Sequence, residues 1–202
     1  MNASDLRRQW ADRTGTYSPE FYAHHGPDER SEKVRDRLDR TVGTGARVLE
    51  LGCSSGRHLA HLHENGYDDL EGIELNGDCT AVMDETYPDL AATAQIHLDS
   101  IEATIEQFAD DAFDAVFSVE TLQHVHPDAS WIFEEIARIT GDVLLTVENE
   151  GQGHPDREAG QTTVDDVTLY FRDWETIFEA CGLRPADRAC GPRDTLRVFR
   201  SP

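Results

Sequence analysis

Residues 48–56 read Val-Leu-Glu-Leu-Gly-Cys-Ser-Ser-Gly (VLELGCSSG), and RHLAHLHEN follows at 57–65. A short apolar strand runs into a turn of small residues, and the next stretch has helical periodicity. Strand, glycine turn and helix together present backbone N–H groups to a ligand at the helix start. The question is which ligand this turn would take.

The same alternation continues outward. Short apolar runs at RVLEL (47–51), DLEGIEL (69–75), ATAQIHL (92–98), FDAVFSV (113–119) and DVLLTVE (142–148) read as strands. Helical patterns near 57–65, 77–86, 100–109 and 129–139 separate them. Such βαβ units predict a parallel sheet with helices on both faces, and right-handed crossovers restrict its topology. In the tail, LYFRDWETIFEACG ends a helix at Gly182, a residue suited to a left-handed cap. LRPADRA and TLRVFR, joined around Gly191-Pro192, then predict an antiparallel edge hairpin. Two helical pieces, 5–13 and 28–42, precede the sheet, with TGTYSPEFYAHHGP as a connector.

The turn excludes two phosphate sites. Its glycine spacing is not Gly-x-Gly-x-x-Gly, and no Gly-Lys-Ser/Thr follows. Instead, Glu50 stands before the turn, Glu74 closes the second strand and Asp99 the third. A carboxylate at Glu50 attracts an ammonium, one at Glu74 suits ribose hydroxyls, and Asp99 suits an adenine amino group. An amino acid at one end and adenosine at the other describe S-adenosylmethionine, a cation without phosphate.

VLELGCSSGRHL, then GIELN, HLDS and FDAVFSVETLQHVHP, resembles the class I S-adenosylmethionine-dependent methyltransferases of small-molecule type. The match runs from about residue 45 to 148, and RDWETIFEACGL with the last strand looks like the family's closing helix and reversed hairpin. The resemblance implies a Rossmann-like, doubly wound α/β sheet of seven strands, mostly parallel, with an antiparallel C-terminal edge hairpin and an N-terminal helical cap. It divides a single domain, 1–202, into a cap or lid (1–42), a cofactor-binding core (45–148), and a substrate loop, closing helix and hairpin (149–202).

The resemblance also implies roles. Glu50, Gly52 and Gly56, with Cys53 and Ser54 in the same turn, would hold the methionine end. Glu74 would bind the ribose with Leu75 beside the adenine, Asp99 and Ser100 would read the adenine edge, and Ser118 would lie over the cofactor. The family often has glycine where this chain has Ser54; serine is expected to serve there without a positive φ.

A sulfonium methyl is already activated, so alignment and exclusion of water supply much of the rate. A base is needed only for an acceptor that arrives protonated. Glu120 and His124, after the fourth strand, are the catalytic candidates, with His124 the candidate base. Glu148 and Asn149 past the fifth strand are expected to face the same crevice, with Tyr170 as a further substrate contact. In the connector, Tyr17 is expected against the cofactor, and Tyr22 and His25 against substrate. No metal is expected: His58 and His61 share a helix face, His124 and His126 form a strand-like pair, and neither pair has a third ligand nearby in sequence.

Composition narrows the partners. Forty acidic against 18 basic residues give a formal charge of −22, and only Lys33 is a lysine. That charge repels phosphate backbones, so nucleic acid is not an expected partner. A lysine-poor acidic surface resembles proteins of extreme halophiles, in which molar salt screens self-repulsion. Four scattered cysteines fit reduced thiols in a cytosol, and no signal peptide or membrane-spanning run is expected. The acceptor is expected to be a small molecule, and the oligomeric state is open. Two other classes remain: a non-catalytic S-adenosylmethionine-binding protein, and a nicotinamide-dependent oxidoreductase.

Overall fold

The computed structural model describes residues 2–202. Three helices come first: α1 (Ala3–Ala11), α2 (Pro19–His25) and α3 (Glu29–Thr41). They are followed by β1 (Val48–Leu51), α4 (Arg57–Glu64), β2 (Leu70–Glu74), α5 (Cys79–Thr86), α6 (Pro88–Ala91), β3 (Gln95–Leu98) and α7 (Ile101–Thr104). Then come β4 (Phe113–Val119), α8 (Ile132–Ile139), β5 (Thr140–Glu148), β6 (Gln161–Val164), β7 (Val167–Tyr170), α9 (Trp174–Ala180), β8 (Arg184–Cys190) and β9 (Thr195–Arg200). Seven strands form one sheet in the order β3-β2-β1-β4-β5-β9-β8. The first five are parallel; β9 runs antiparallel to both β5 and β8. The Rossmann-like α/β class with a reversed C-terminal hairpin is what the sequence predicts.

Strand period sorts the core into two layers. Val48, Phe117 and Leu145 pack with Val34 and Leu38 of α3 and Leu59 and Leu62 of α4. Leu49, Val116 and Leu144 point the other way, onto Ile132 and Ile136 of α8 and Trp174 and Phe178 of α9. Both faces being covered, all of β1 is buried, Glu50 included. That is why VLEL is a run rather than an alternation.

Two elements differ from expectation. The connector contains α2: Ser18 caps Phe21 N–H, Pro19 stands in the first turn, and Gly26 ends the helix at φ 64°. The pattern Ser-Pro followed by Gly seven residues on carried that signal. The polar segment after β5, expected as loop, holds the separate hairpin β6–β7, whose two-residue turn Asp165-Asp166 has both φ angles positive. Its alternation is too short and polar to stand out from a loop.

On the α8–α9 side, Trp174 lies 5.3 Å from Phe133 and 6.1 Å from Phe178, ring centre to ring centre. Phe178→Ala removes a wholly buried ring from this cluster. Urea unfolding should show a loss of about 3–5 kcal/mol; less than 1 kcal/mol would mean that the aromatic layer does not hold α9.

Candidate functional site

The turn after β1 is fixed by β2. Gly52 and Cys53 both donate N–H bonds to Ile73 O, at 2.9 and 3.1 Å. Gly52 has φ +71°, and a Cβ there would overlap the Thr121 side chain, so glycine is required by conformation and by space. Gly56 has φ +81° and abuts Met83. Ser54 corrects an expectation, because it does adopt positive φ, +50°. Its N–H donates to Glu74 Oε2 at 2.8 Å, a charge-assisted bond that offsets the left-handed cost.

Glu74 organises more than that bond. Its Oε1 accepts the N–H groups of Leu75 and Asn76, each at 2.8 Å. Burial pushes its carboxyl pKa up, while these three backbone donors pull the other way. Asp99 accepts Ser100 N–H at 2.7 Å, and Ser100 caps Ala103. One cavity at the carboxyl ends of the strands is lined by Gly52, Cys53, Ser54, Glu74, Leu75, Asp99, Ser100 and Tyr17. Ile73, Ile101 and Val119 add apolar walls.

Three expected cofactor residues lie off that lining: Glu50, Gly56 and Ser118. Glu50 is 1% exposed beneath the turn, and its Oε2 has no hydrogen-bond partner. Burial drives its pKa well up, with Arg57 opposing. An orphaned carboxylate oxygen, a turn with no room for a Cβ and acceptors at Glu74 and Asp99 fit a cationic adenosine ligand with an ammonium group.

The opposite wall follows β4. Glu120 takes φ +52°, a strained value for a glutamate, and faces the cavity with Arg30 and Arg193 against its carboxylate. Burial and then Asp194 raise its pKa. Tyr22 lines the same wall, and burial, with Glu120 adding to it, pushes its hydroxyl up to about 12. His124 donates Nδ1–H to Thr168 O at 2.9 Å, which leaves Nε2 to accept from Gln123 Nε2 at 3.3 Å. Its ring lies 4.7 Å from Trp10, and burial pushes its pKa down to about 4. Both nitrogens are thus engaged, and the ring serves as a wall joining α1 to β7.

The remaining candidates do not line the cavity. Glu148 is wholly buried and accepts the Ser118 hydroxyl at 2.7 Å and the N–H groups of Thr121, Leu122 and Gln123. It holds the 121–123 turn from behind rather than facing the crevice, and burial pushes its pKa up to about 7. Asn149 donates its N–H to Gln123 Oε1 and caps Gly151. Tyr170 packs under Arg172 and beside His126, and exposed His25 bonds back to Phe21 O. Cavity residues not singled out from sequence include Trp10, Arg57, Asn76 and Thr121, and His58, weighed there only as a metal ligand, joins them. Arg57 and His58 directly follow Gly56, so position alone would have found them. No group of three or more His, Cys, Asp or Glu among the described residues is placed to hold a metal, and no helix there is long and apolar enough to cross a membrane.

The roof is α1, tied down at both sides. Asn76 Nδ2 donates to Arg13 O at 2.9 Å. The β6–β7 turn grips the other side: Arg13 pairs with Asp166 at 3.0 Å, Gln9 donates to Asp166 O, and Tyr17 donates to Asp165. Asp166→Gly keeps a residue suited to positive φ and deletes the carboxylate. Stopped-flow Trp10 fluorescence should show ligand release accelerated up to about fivefold, the worth of an exposed ion pair; unchanged release would rule out this grip.

Titration supplies a second test. An unfolded His124 takes its proton near 6.5 and the folded one only near 4, so acid favours the unfolded chain between those values. The stability advantage of wild type over His124→Gln should therefore shrink by about 1.4 kcal/mol per pH unit from 6.5 to 4, in urea titrations at each pH. A constant difference would mean the ring is not held neutral.

Residues 49–142 match the family model described as "Methyltransferase domain". Methyltransferase GfsG of Streptomyces halstedii is 26% identical over 112 residues, 55% of this chain and 39% of that protein. O-methyltransferase cnsE of Penicillium expansum is 29% identical over 111 residues, 52% of this chain and 40% of that protein. The chain therefore spans about two fifths of the length of these curated relatives. Among solved structures, Burkholderia thailandensis 1,6-didemethyltoxoflavin-N1-methyltransferase, with bound 1,6-didemethyltoxoflavin and S-adenosylhomocysteine, superposes with a TM-score of 0.69 at 16% identity, covering 98% of this chain and 86% of that one. Over residues 49–142 the chain is similar to the methyltransferase domain family, and its sheet has the Rossmann-like α/β fold of the methyltransferase structure on which it superposes.

Proposed function

We propose that the chain moves the methyl group of S-adenosylmethionine to a small-molecule acceptor by in-line displacement. The observation that carries this is one cavity with two kinds of wall. Glu74, Asp99 and the glycine turn suit the cofactor; Glu120, Tyr22, Trp10 and His124 stand opposite. When bound, the cofactor supplies an activated methyl on a sulfonium.

The chain's own part is to align and to exclude water. Gly52 gives backbone access while Gly56 shapes the turn behind it, Glu74 holds the ribose, Asp99 and Ser100 meet the adenine edge, and Glu50, buried beneath the turn with an unpartnered oxygen, answers the ammonium through it. Tyr17 and α1 close the roof. Glu120 is the group placed to take an acceptor proton on a carboxylate oxygen, since burial raises its pKa. His124, neutral and bonded at both nitrogens, positions the acceptor wall instead of acting as base.

The division into cap (1–42), core (45–148) and tail (149–202) belongs to the same proposal. So do a cytosolic location, which the four free cysteines support, and an acidic surface adapted to high salt. The relatives' names include an O-methyltransferase and the Burkholderia structure an N1-methyltransferase, so oxygen and nitrogen acceptors both belong in a screen. Charge disfavours nucleic acid.

Calorimetry in molar potassium chloride with S-adenosylmethionine, S-adenosylhomocysteine and NAD decides the matter. Both sulfur ligands should bind at micromolar Kd, and Glu74→Ala should weaken them about 100-fold with NAD inert, two lost charge-assisted bonds being worth that much. NAD binding alone would make this an oxidoreductase. Tight cofactor binding without turnover of any screened acceptor would favour the non-catalytic alternative.

A further inference from the structure

Two polar atoms on the wall after β4 are left open to the cavity. Glu120 Oε1 is held by Arg193, whereas Oε2 has only the Arg30 guanidinium near it, at 3.6 Å, beyond hydrogen-bond reach. No hydrogen bond among the described residues reaches the hydroxyl of Tyr22, which lines the same wall. Trp10 Nε1 is unpartnered too, but it is buried, and these two atoms are not.

The arginine that holds Oε1 comes from far along the chain. Arg193 lies in the turn between β8 and β9, which Gly191 N–H closes on Asp194 O at 2.8 Å. Asp194 accepts from Arg30 at 2.6 Å and pairs with Arg193 at 3.3 Å. Asp28 takes Arg30 at 3.1 Å and Arg57 at 3.2 Å. Three carboxylates, those of Glu120, Asp28 and Asp194, thus meet three guanidiniums. The other titratable groups of this end, Tyr17, Tyr22 and His58, are uncharged at neutral pH, and Asp165 is taken up as the acceptor of Tyr17. The chain carries −22, yet this wall is balanced. An ammonium acceptor finds each carboxylate engaged, and an anionic acceptor finds each guanidinium engaged, so an uncharged molecule loses least on entry. A carboxylate base suits a hydroxyl that is itself acidic, a phenol with a pKa of about 10 before an alkyl alcohol. The rings of Trp10, Tyr17, Tyr22 and His124 along the cavity suit a flat partner.

We propose that Glu120 Oε2 and the Tyr22 hydroxyl form the acceptor subsite, that it takes an uncharged aromatic hydroxyl, and that Arg193 is its positioning residue. The inference rests on the methyl-transfer reading given under Proposed function. Tyr22 donates to the phenolic oxygen, and that oxygen donates to Glu120 Oε2. As the oxygen attacks the methyl carbon, its proton passes to Oε2 and the carbon–sulfur electron pair leaves with sulfur. The sulfonium and carboxylate charges cancel, and an aryl methyl ether and a neutral thioether result. Arg193 and Arg30 keep the strained Glu120 turned to the cavity and hold its proton affinity down against burial.

The first test needs no acceptor. Carboxyl carbon NMR signals of the free protein, with Glu120 assigned through Glu120→Gln, are titrated in molar potassium chloride. Arg193→Gln, at a side chain 59% exposed, should raise the Glu120 midpoint by about half a pH unit. An unmoved midpoint overturns the positioning role. Phenol, benzylammonium and benzoate are then titrated into protein saturated with S-adenosylhomocysteine. Phenol should shift the Glu120 signal with a Kd at least about tenfold below those of the charged probes, and Tyr22→Phe should weaken phenol about fivefold. A charged probe that binds as tightly, a phenol that leaves Glu120 unmoved, or no loss in Tyr22→Phe overturns the subsite while the cofactor reading stands. A folded wild type that fails to bind S-adenosylhomocysteine in calorimetry overturns that reading and the subsite with it.

Discussion

Buried carboxylates at strand ends must be given donors, and most of the site follows from how this chain supplies them. Glu74 takes three backbone N–H groups, and those belong to two different loops, the turn after β1 and the start of the segment after β2. Glu148 does the same work one layer deeper, collecting the Ser118 hydroxyl and three successive N–H groups after β4. Two acids therefore hold the two walls of one cavity at fixed separation. Glu50 is the exception: one of its oxygens has nothing to accept. A protein interior tolerates such a group where a ligand completes it.

The sheet was legible because VLELGCSSG and the runs after it carry strong local signals that agree with one another. Apolar runs of four to seven residues, helices between them and a terminal pair without a helix leave little topological freedom. Glu74 and Asp99 were legible for the same reason, since the end of a parallel strand is a defined place. Glu148 was misplaced because that rule does not say which way the last side chain points. In β5 the carboxylate turns behind the 121–123 turn, where backbone donors lie closer than the crevice does. His25 and Tyr170 failed on a different count. Tyr170 sits on β7, whose short polar alternation reads as loop, and His25 sits on the last turn of α2, whose cap signals mark a helix without saying which face meets the cavity. Arg57 and His58 carry no motif signal of their own, and the helix spacing of His58 and His61 points only to a metal pair without a third ligand.

The arginine-rich, lysine-poor cation set also acquires a physical account. Arg35 joins Glu32, Asp36 and Asp39 along α3, and Arg138 reaches Glu135, Asp110 and two carbonyls. A guanidinium can serve several acceptors at once, which an ammonium point charge does less well. With 40 acidic side chains to accommodate, few cations must each answer more than one anion. Arg30, shared among Asp28, Asp194 and Glu120, extends that arrangement to the edge of the cavity.

The order β5-β9-β8 has a consequence for how the sheet is assembled. β9 is the last strand along the chain, yet it lies inside, between β5 and the edge strand β8. During synthesis β5 emerges some fifty residues before its partner, and until Thr195–Arg200 have left the ribosome its outer edge has no occupant. An open, apolar strand edge is a template for wrong pairing, and the long sequence separation slows its closure. A stalled ribosome would thus leave a chain whose five parallel strands are made but whose sheet still recruits neighbours. The time spent making residues 149–194 is the interval in which this protein is most exposed to aggregation.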